Sequence, residues 1–329
     1  MLFNIAAPPV PHLGYNKHSH RVADYLQKGS VMAKDSLLKR AVRKGVAVTQ
    51  NWLKETPTDD LDPKHYANDD FAYRWMGAVL SRLQYEHQGV LRSYHTWGIL
   101  NAAYLAKALG IPRISVIEFG VAGGNGLISI ETASERVERL LGVGIDVYGF
   151  DTGQGLPKPQ DYRDCPNLWK ESAFPMDVPK LKARLKRAQL MLGLIQDTVP
   201  KFLESSPAPI GFVSFDVDYY SSTMQALKIF EGDHNRLLPR VQCYLDDIVA
   251  FTHSEFTGER LAVADFNAKH PLRKIALIYG LRHFLPPDRA SAPWVDCYYM
   301  AHFYDHPLYG HFDNLVPLQF SGGTDLRRR

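Results

Sequence analysis

The sequence predicts a doubly wound α/β domain: a seven-stranded, mainly parallel sheet preceded by a helical N-terminal extension. Three observations carry that prediction. Residues 115–126, Ser-Val-Ile-Glu-Phe-Gly-Val-Ala-Gly-Gly-Asn-Gly, join a short apolar run to a glycine loop, and a helix-compatible run, 127–133, follows. From Val116 onward strand-like and helix-like stretches alternate, as crossover helices on a parallel sheet require. The last two strand-like runs, 274–279 and 295–303, are joined without a clear helix, so they are expected to close the sheet as an antiparallel hairpin.

The elements are taken in order. Residues 1 to about 30 carry Pro8, Pro9, Pro11 and Gly14 and little periodicity. They read as an irregular arm, lying on the body or on a partner subunit of a homo-oligomer. Residues 32–54 read as an amphipathic helix whose lysines and arginines form a solvated face, with a membrane-surface helix as the alternative. After a turn-rich acidic loop, residues 69–92 and 94–109 read as helices, the second ended by Gly110 and Pro112. Residues 1–110 are therefore expected to form a mostly helical cap, 111–320 a ligand-binding domain and 321–329 a disordered tail. The strands are expected at 116–119, 146–151, 189–195, 209–217 and 241–248, before the final pair. Helices are expected at 199–205, 221–231 and 257–269.

Composition narrows the function classes. The chain has 329 residues and a formal net charge of +3, which gives no reason to expect nucleic acid as a partner. No apolar run approaches the roughly 20 residues of a membrane span, and the N-terminus lacks a secretory pattern. Cys165, Cys243 and Cys297 lie far apart, as suits a reducing cytoplasm, and two of them sit in apolar runs as small core residues.

The glycine loop decides the ligand class. Its glycines stand at 120, 123, 124 and 126, and no Gly-x-Gly-x-x-Gly can be read in any register. Glu118 places an acid two residues before the first glycine, which favours a cationic ligand over a pyrophosphate. The plainer alternative is a tight strand-to-helix turn with no ligand. Asp151 ends the second strand, 25 residues after Gly126, and suits a ribose diol because two carboxylate oxygens match two vicinal hydroxyls. The 118–124 word resembles motif I of class I S-adenosylmethionine (SAM) methyltransferases, whose Rossmann-like sheet ends in an antiparallel pair.

Four further words are similar, in order, to those of the macrocin O-methyltransferase (TylF) family. They are Gly-Phe-Asp-Thr-Gly-Gln-Gly-Leu-Pro at 149–157, Gly-Leu-Ile-Gln-Asp-Thr-Val-Pro at 193–200, Phe-Asp-Val-Asp-Tyr-Tyr-Ser-Ser-Thr at 215–223 and Leu-Asp-Asp-Ile at 245–248. The resemblance covers about residues 115–270. It implies SAM held by Glu118, Gly120, Gly123, Gly124, Asp151, Gln196 and Asp197, and Mg²⁺ held by Asp216, Asp246 and Asp247. Three carboxylates at one spot repel one another unless a cation is present, and hard oxygen donors suit Mg²⁺. Asp218 is the alternative first ligand, and a metal-free site with Asp216 and Asp246 as plain polar neighbours is the alternative arrangement. The sequence departs from the family pattern at Ala122, Gly153, Gln154 and Ile248, and in the loop 232–240.

The expected reaction is methyl transfer to a hydroxyl of a small molecule, such as a sugar of a glycosylated natural product. Asp216 and His253 are the candidate catalytic residues, with His95 and His283 as weaker candidates for the base. An NAD(P) oxidoreductase, and a non-catalytic assembly protein on the same fold, are the rival readings.

Overall fold

The structure, a computed structural model, describes residues 80, 91–249, 254–283, 285 and 287–310, all of which belong to the compact unit Leu61–Arg329. The arm at 1–30, the helix read over 32–54, nearly all of the one over 69–92, the 321–329 tail and His253 lie outside the described residues. Leu91 and Arg92, at the end of the predicted 69–92 helix, are not helical. Arg92 is extended (φ −87°, ψ 127°) and opens helix α1, Ser93–Ala108.

Beyond α1 the chain runs β1 (Arg113–Phe119), α2 (Asn125–Leu141), β2 (Gly144–Asp151), α3 (Val178–Arg184), β3 (Gln189–Leu192), α4 (Ile195–Glu204) and β4 (Ile210–Phe215). It continues with α5 (Tyr220–Ala226), β5 (Leu237–Leu245), α6 (Gly258–Lys269), β6 (Arg273–Leu277), α7 (Pro287–Ala290) and β7 (Tyr298–Phe303). The strands form one seven-stranded sheet in the order β3-β2-β1-β4-β5-β7-β6. The first five are parallel, and β7 runs antiparallel between β5 and β6. This is the class I methyltransferase arrangement, and it bears out the predicted sheet. The strand order reverses direction between β1 and β4, so the crevice that receives a ligand opens at their carboxyl ends.

The central strands read as unbroken apolar runs because both of their faces are covered. Every residue of β4, and all of β1 after Arg113, is buried. Phe119 packs on Phe150 and Phe215 at ring separations of 4.7 and 5.7 Å. Helix α1 presses so closely on the sheet that a Cβ on Gly98 would stand 2.3 Å from both the Phe212 ring and the Tyr298 hydroxyl.

Four strand boundaries near the cavity differ from the prediction. The third strand stops at Leu192, because Gly193 takes a φ of +139° and turns the chain into α4. The fifth begins at Leu237 rather than 241; Pro239 is tolerated there because the β4–β5 register shifts between Ile210 and Phe212. It ends at Leu245, and Asp246–Ile248 form a 3₁₀ turn. Asp246 and Asp247 are therefore turn residues, not strand residues. Likewise β4 ends at Phe215, so Asp218 is not on a continued strand; it sits at a φ of +60°.

Candidate functional site

The glycine loop after β1 is shaped by two acids. A Cβ on Gly120 (φ +83°) would fall 1.7 Å from the Asp216 carbonyl oxygen, so the loop can lie against the end of β4 only with glycine there. A Cβ on Gly126 would fall 1.9 Å from Glu118 Oε1, so the missing side chain in the first turn of α2 is the space the carboxylate occupies. At Gly123, by contrast, a Cβ would meet no atom of the protein within 4 Å. Helix α3 clasps the loop from outside: a Cβ on Gly124 would meet Leu181 at 2.1 Å, and Arg184 donates to the Gly123 carbonyl and to Asn125 Oδ1.

Glu118 is buried, at 2% exposure. Its Oε1 lies 3.9 Å from His95 Nε2, and its Oε2 has no hydrogen-bond partner among the described residues. Burial, and then the neighbouring Asp216 carboxylate, push its pKa well above the ordinary carboxylate range, although Arg92 pulls the other way. His95 is buried as well and is pushed well below the usual imidazole range, first by burial and then by Arg92. Its Nε2 faces Ser214 Oγ at 3.3 Å.

Asp151 ends β2, as predicted, and its carboxylate binds the glycine loop itself. Oδ2 accepts from the amides of Val121 and Ala122, both at 2.9 Å, and Oδ1 accepts from Gly153 at 2.6 Å. It is thus the tie between the tips of β1 and β2. A carboxylate offers about four lone-pair sites, so three amides leave capacity for one more donor. Gln196, in the first turn of α4, lines the same cavity. Asp197 is exposed and does not line it.

The tips of β4 and β5 and the first turn of α6 bring five acids together. The Asp218 amide donates to Asp247 Oδ2 at 3.0 Å, and the Asp247 amide donates to Glu259 Oε2 at 3.0 Å. Glu259 is 1% exposed and its Oε1 has no partner. Burial and mutual repulsion raise Asp218, Asp247 and Glu259 above the ordinary carboxylate range. Asp216 is pushed up to about 8, by burial first and then by Asp246 and Asp247. Asp246 is exposed and accepts from the Tyr244 hydroxyl at 2.7 Å.

Among the described residues no three His, Cys, Asp or Glu side chains are grouped so as to hold a metal ion. Asp216, Asp246 and Asp247 share a neighbourhood, but Asp246 and Asp247 each have an oxygen committed to a protein donor. His283 is exposed on a 3₁₀ turn and does not line the cavity.

Sequence reasoning missed three contributors. Arg92, just before α1, lines the cavity and lies over the Tyr94 ring, 5.8 Å from its centroid. Tyr94 stacks on Tyr244 at 4.1 Å, which links α1 to Asp246. Asp164 is fully buried and accepts from the Gln160 amide and from the amide and hydroxyl of Ser221. It pins the long segment after β2, with Leu156, Trp169 and Phe174 on the cavity wall, to the start of α5. No motif marks these residues, because each acts through a partner remote in sequence.

Together these elements enclose a cavity of about 520 Å³ at the carboxyl ends of β1, β2, β4 and β5. The glycine loop, Glu118, Asp151, Asp216, Asp246 and Asp247 all line it. A buried carboxylate oxygen without a partner among the described residues, in a cavity that Gly123 also lines, fits a ligand with a positively charged arm, as SAM has. Among the described residues no helix is long and apolar enough to cross a membrane, and all three cysteines are free and buried.

No family model and no curated protein matches this sequence. The chain is similar to solved structures at low identity. One is the O-methyltransferase NovP, 16% identical over 54% of this chain and 72% of that one, with a TM-score of 0.42. Another is CalS11, a calicheamicin methyltransferase, 19% identical over 67% of this chain and 93% of that one, with a TM-score of 0.39. A third is an O-methyltransferase from Bacillus cereus in complex with S-adenosylhomocysteine (SAH), 13% identical over 70% of this chain and 89% of that one, with a TM-score of 0.32.

Proposed function

We propose that this protein is a SAM-dependent methyltransferase that acts on a hydroxyl of a small molecule. The observation that carries the reading is the Glu118 carboxylate. It is buried, lacks a partner at Oε2 among the described residues, and sits behind a glycine loop in a cavity whose charged lining is six acids against Arg92 and Lys158. Such a site favours a cation, which takes the place of the proton that burial keeps on Glu118 in the ligand-free protein, over the pyrophosphate of a dinucleotide, and this weighs against the oxidoreductase reading. A volume of about 520 Å³ is in the range of small-molecule and cofactor sites.

In this reading Glu118 and Gly120 to Gly124 face the methionine arm, Asp151 accepts from a ribose hydroxyl with its remaining capacity, and Gln196 lines the nucleoside end. When bound, SAM supplies a methyl group already activated on a sulfonium. The chain need only align the acceptor oxygen in line with it and take up a proton. The O–C bond forms, the S–C bond breaks with its electron pair going to sulfur, and the hydroxyl proton passes to the Asp216 carboxylate. A carboxyl held near 8 is a stronger base than an ordinary aspartate and is still partly ionised near neutrality. The hydroxylated acceptor, with a sugar as the favoured class, is supported by the sequence words shared with the macrocin O-methyltransferase family.

Calorimetric titration tests the cofactor. SAH is expected to bind, with NADH at least about 100-fold weaker. Heat from NADH and none from SAH would reverse the assignment. Magnesium held by Asp216, Asp246 and Asp247 is a separate question on which no step above depends. A parallel titration of Mg²⁺ alone reads that point, since a saturable heat lost in Asp247→Ala would support the metal.

A further inference from the structure

Arg92 is the cation that this acidic cavity encloses. The cavity is lined by two basic residues, Arg92 and Lys158; Lys158 is exposed and Arg92 is half-buried. A guanidinium cannot shed its charge by deprotonating, so partial burial must be met by an anion or by good hydrogen bonds. Among the described residues Arg92 makes no ion pair. Its guanidinium lies over the Tyr94 ring, 5.8 Å from the centroid.

Its position is fixed from the main chain. The Arg92 amide donates to Ser129 Oγ at 2.8 Å, which ties it to the first turns of α2. The same end of α2 carries Gly126, whose missing side chain makes room for Glu118 Oε1. The guanidinium, which has no carboxylate partner among the described residues, and the carboxylate oxygen without a partner among them are thus both set around the start of one helix. An α-amino acid carries its ammonium and its carboxylate on a single carbon, so a site for it needs an acid and a base as neighbours. Arg92 and Glu118 form such a pair.

We propose that Arg92 binds the α-carboxylate of the cofactor's methionine arm while Glu118 receives its ammonium, making a two-point clamp on the zwitterion. This inference rests on the SAM reading above and adds to it the residue that distinguishes the intact amino acid from a cofactor lacking it. The planar fork of arginine suits a carboxylate bidentately, and a lysine would meet it as a point charge only.

The test uses three ligands and three proteins. SAH carries both charged groups, its decarboxylated analogue keeps only the ammonium, and 5′-methylthioadenosine has neither. Each is titrated into the wild-type chain, Arg92→Met and Arg92→Lys, with thermal unfolding of each protein as the control for folding. Wild type is expected to prefer SAH over the decarboxylated analogue by about 10- to 100-fold, the range of a charge-assisted pair. Arg92→Met should erase that preference while leaving the affinities for the analogue and for methylthioadenosine within about twofold. Arg92→Lys should keep part of it, and it carries the test if the methionine variant does not fold. If SAH binds wild type and the preference survives in the variants, Arg92 does not hold the carboxylate, although the cofactor reading stands. Equal weakening of all three ligands would assign Arg92 a structural role and also overturn the clamp. If none of the three binds wild type, the cofactor reading itself falls, and this inference with it.

Discussion

Glu118 is buried beside another carboxylate, and the folded chain therefore keeps a proton on it that the unfolded chain releases above about 4.5. The sign of the linkage follows. The stability tied to this group is intact below about 4.5 and declines as pH rises, by up to about 1.4 kcal/mol per unit, until the folded group also ionises. Glu118→Gln is uncharged at every pH and removes that slope. Denaturation of both ligand-free proteins between about pH 5 and 8 should show the variant gaining on wild type as pH rises. His95 works in the opposite sense: it is neutral when folded, so protonation of the unfolded chain below 6.5 subtracts stability as pH falls. That contribution belongs to both proteins and cancels in the difference, as do those of Arg92 and Asp216 to first order. A difference that stays flat, or shrinks with rising pH, would refute a protonated Glu118. At this scale the sequence was legible where a residue sits beside its own motif. Glu118, Gly120 and Asp151 stand where they were expected, at the strand tips. His95 and Arg92 were not legible in their roles, since His95 meets Ser214 across 119 residues and Arg92 meets Ser129 across 37. Periodicity carries no signal of such meetings.

Among the elements, α1 has the most exacting fit. Its Gly98 touches β4 through Phe212 and β7 through Tyr298, and the Tyr298 hydroxyl donates to the Tyr94 carbonyl at 2.8 Å. The helix that delivers Arg92, Tyr94 and His95 is thereby held at one height on the sheet. Gly98→Ala gains helix propensity of up to about 1 kcal/mol, yet its methyl group would stand 2.3 Å from two buried side chains. Overpacking of that kind costs about 1–3 kcal/mol, so a net loss on the order of 1–2 kcal/mol is expected in chemical denaturation. An unchanged or raised stability would show that α1 slides freely on the sheet. The elements that were legible share a cause: β1 and β4 are buried on both faces and are written as continuous apolar runs. Helix α3 was missed because it is short, begins beside Pro179, and buries only Leu181. The start of β5 was misplaced because Pro239 reads as a strand breaker until the register shift in the pairing with β4 is seen.

At the scale of the whole molecule, the sheet divides the labour between its two ends and its two edges. Central β1 and β4 are enclosed, whereas β3 is a four-residue edge strand with no fully buried residue, and β6 is the opposite edge. The antiparallel β7–β6 pair closes the sheet on the side away from the glycine loop. That pair was legible because no helix-like run connects it. The acids cluster where parallel strands end, so the proposed cation-binding site rests on the tips of the buried strands. Hydrogen exchange should reflect this division. In the ligand-free protein the amides of β1 and β4 should exchange most slowly, and those of β3 among the fastest of the strands. Adding SAH should slow exchange in the loops at 120–126 and 152–155, which Asp151 already ties together through the amides of Val121, Ala122 and Gly153. Exchange in β6 and β7 should be unchanged, because they contribute no residue to the cavity wall. Protection that appeared instead along β6–β7 would place the ligand at the other edge of the sheet and detach the acid-lined cavity from the binding it is proposed to perform.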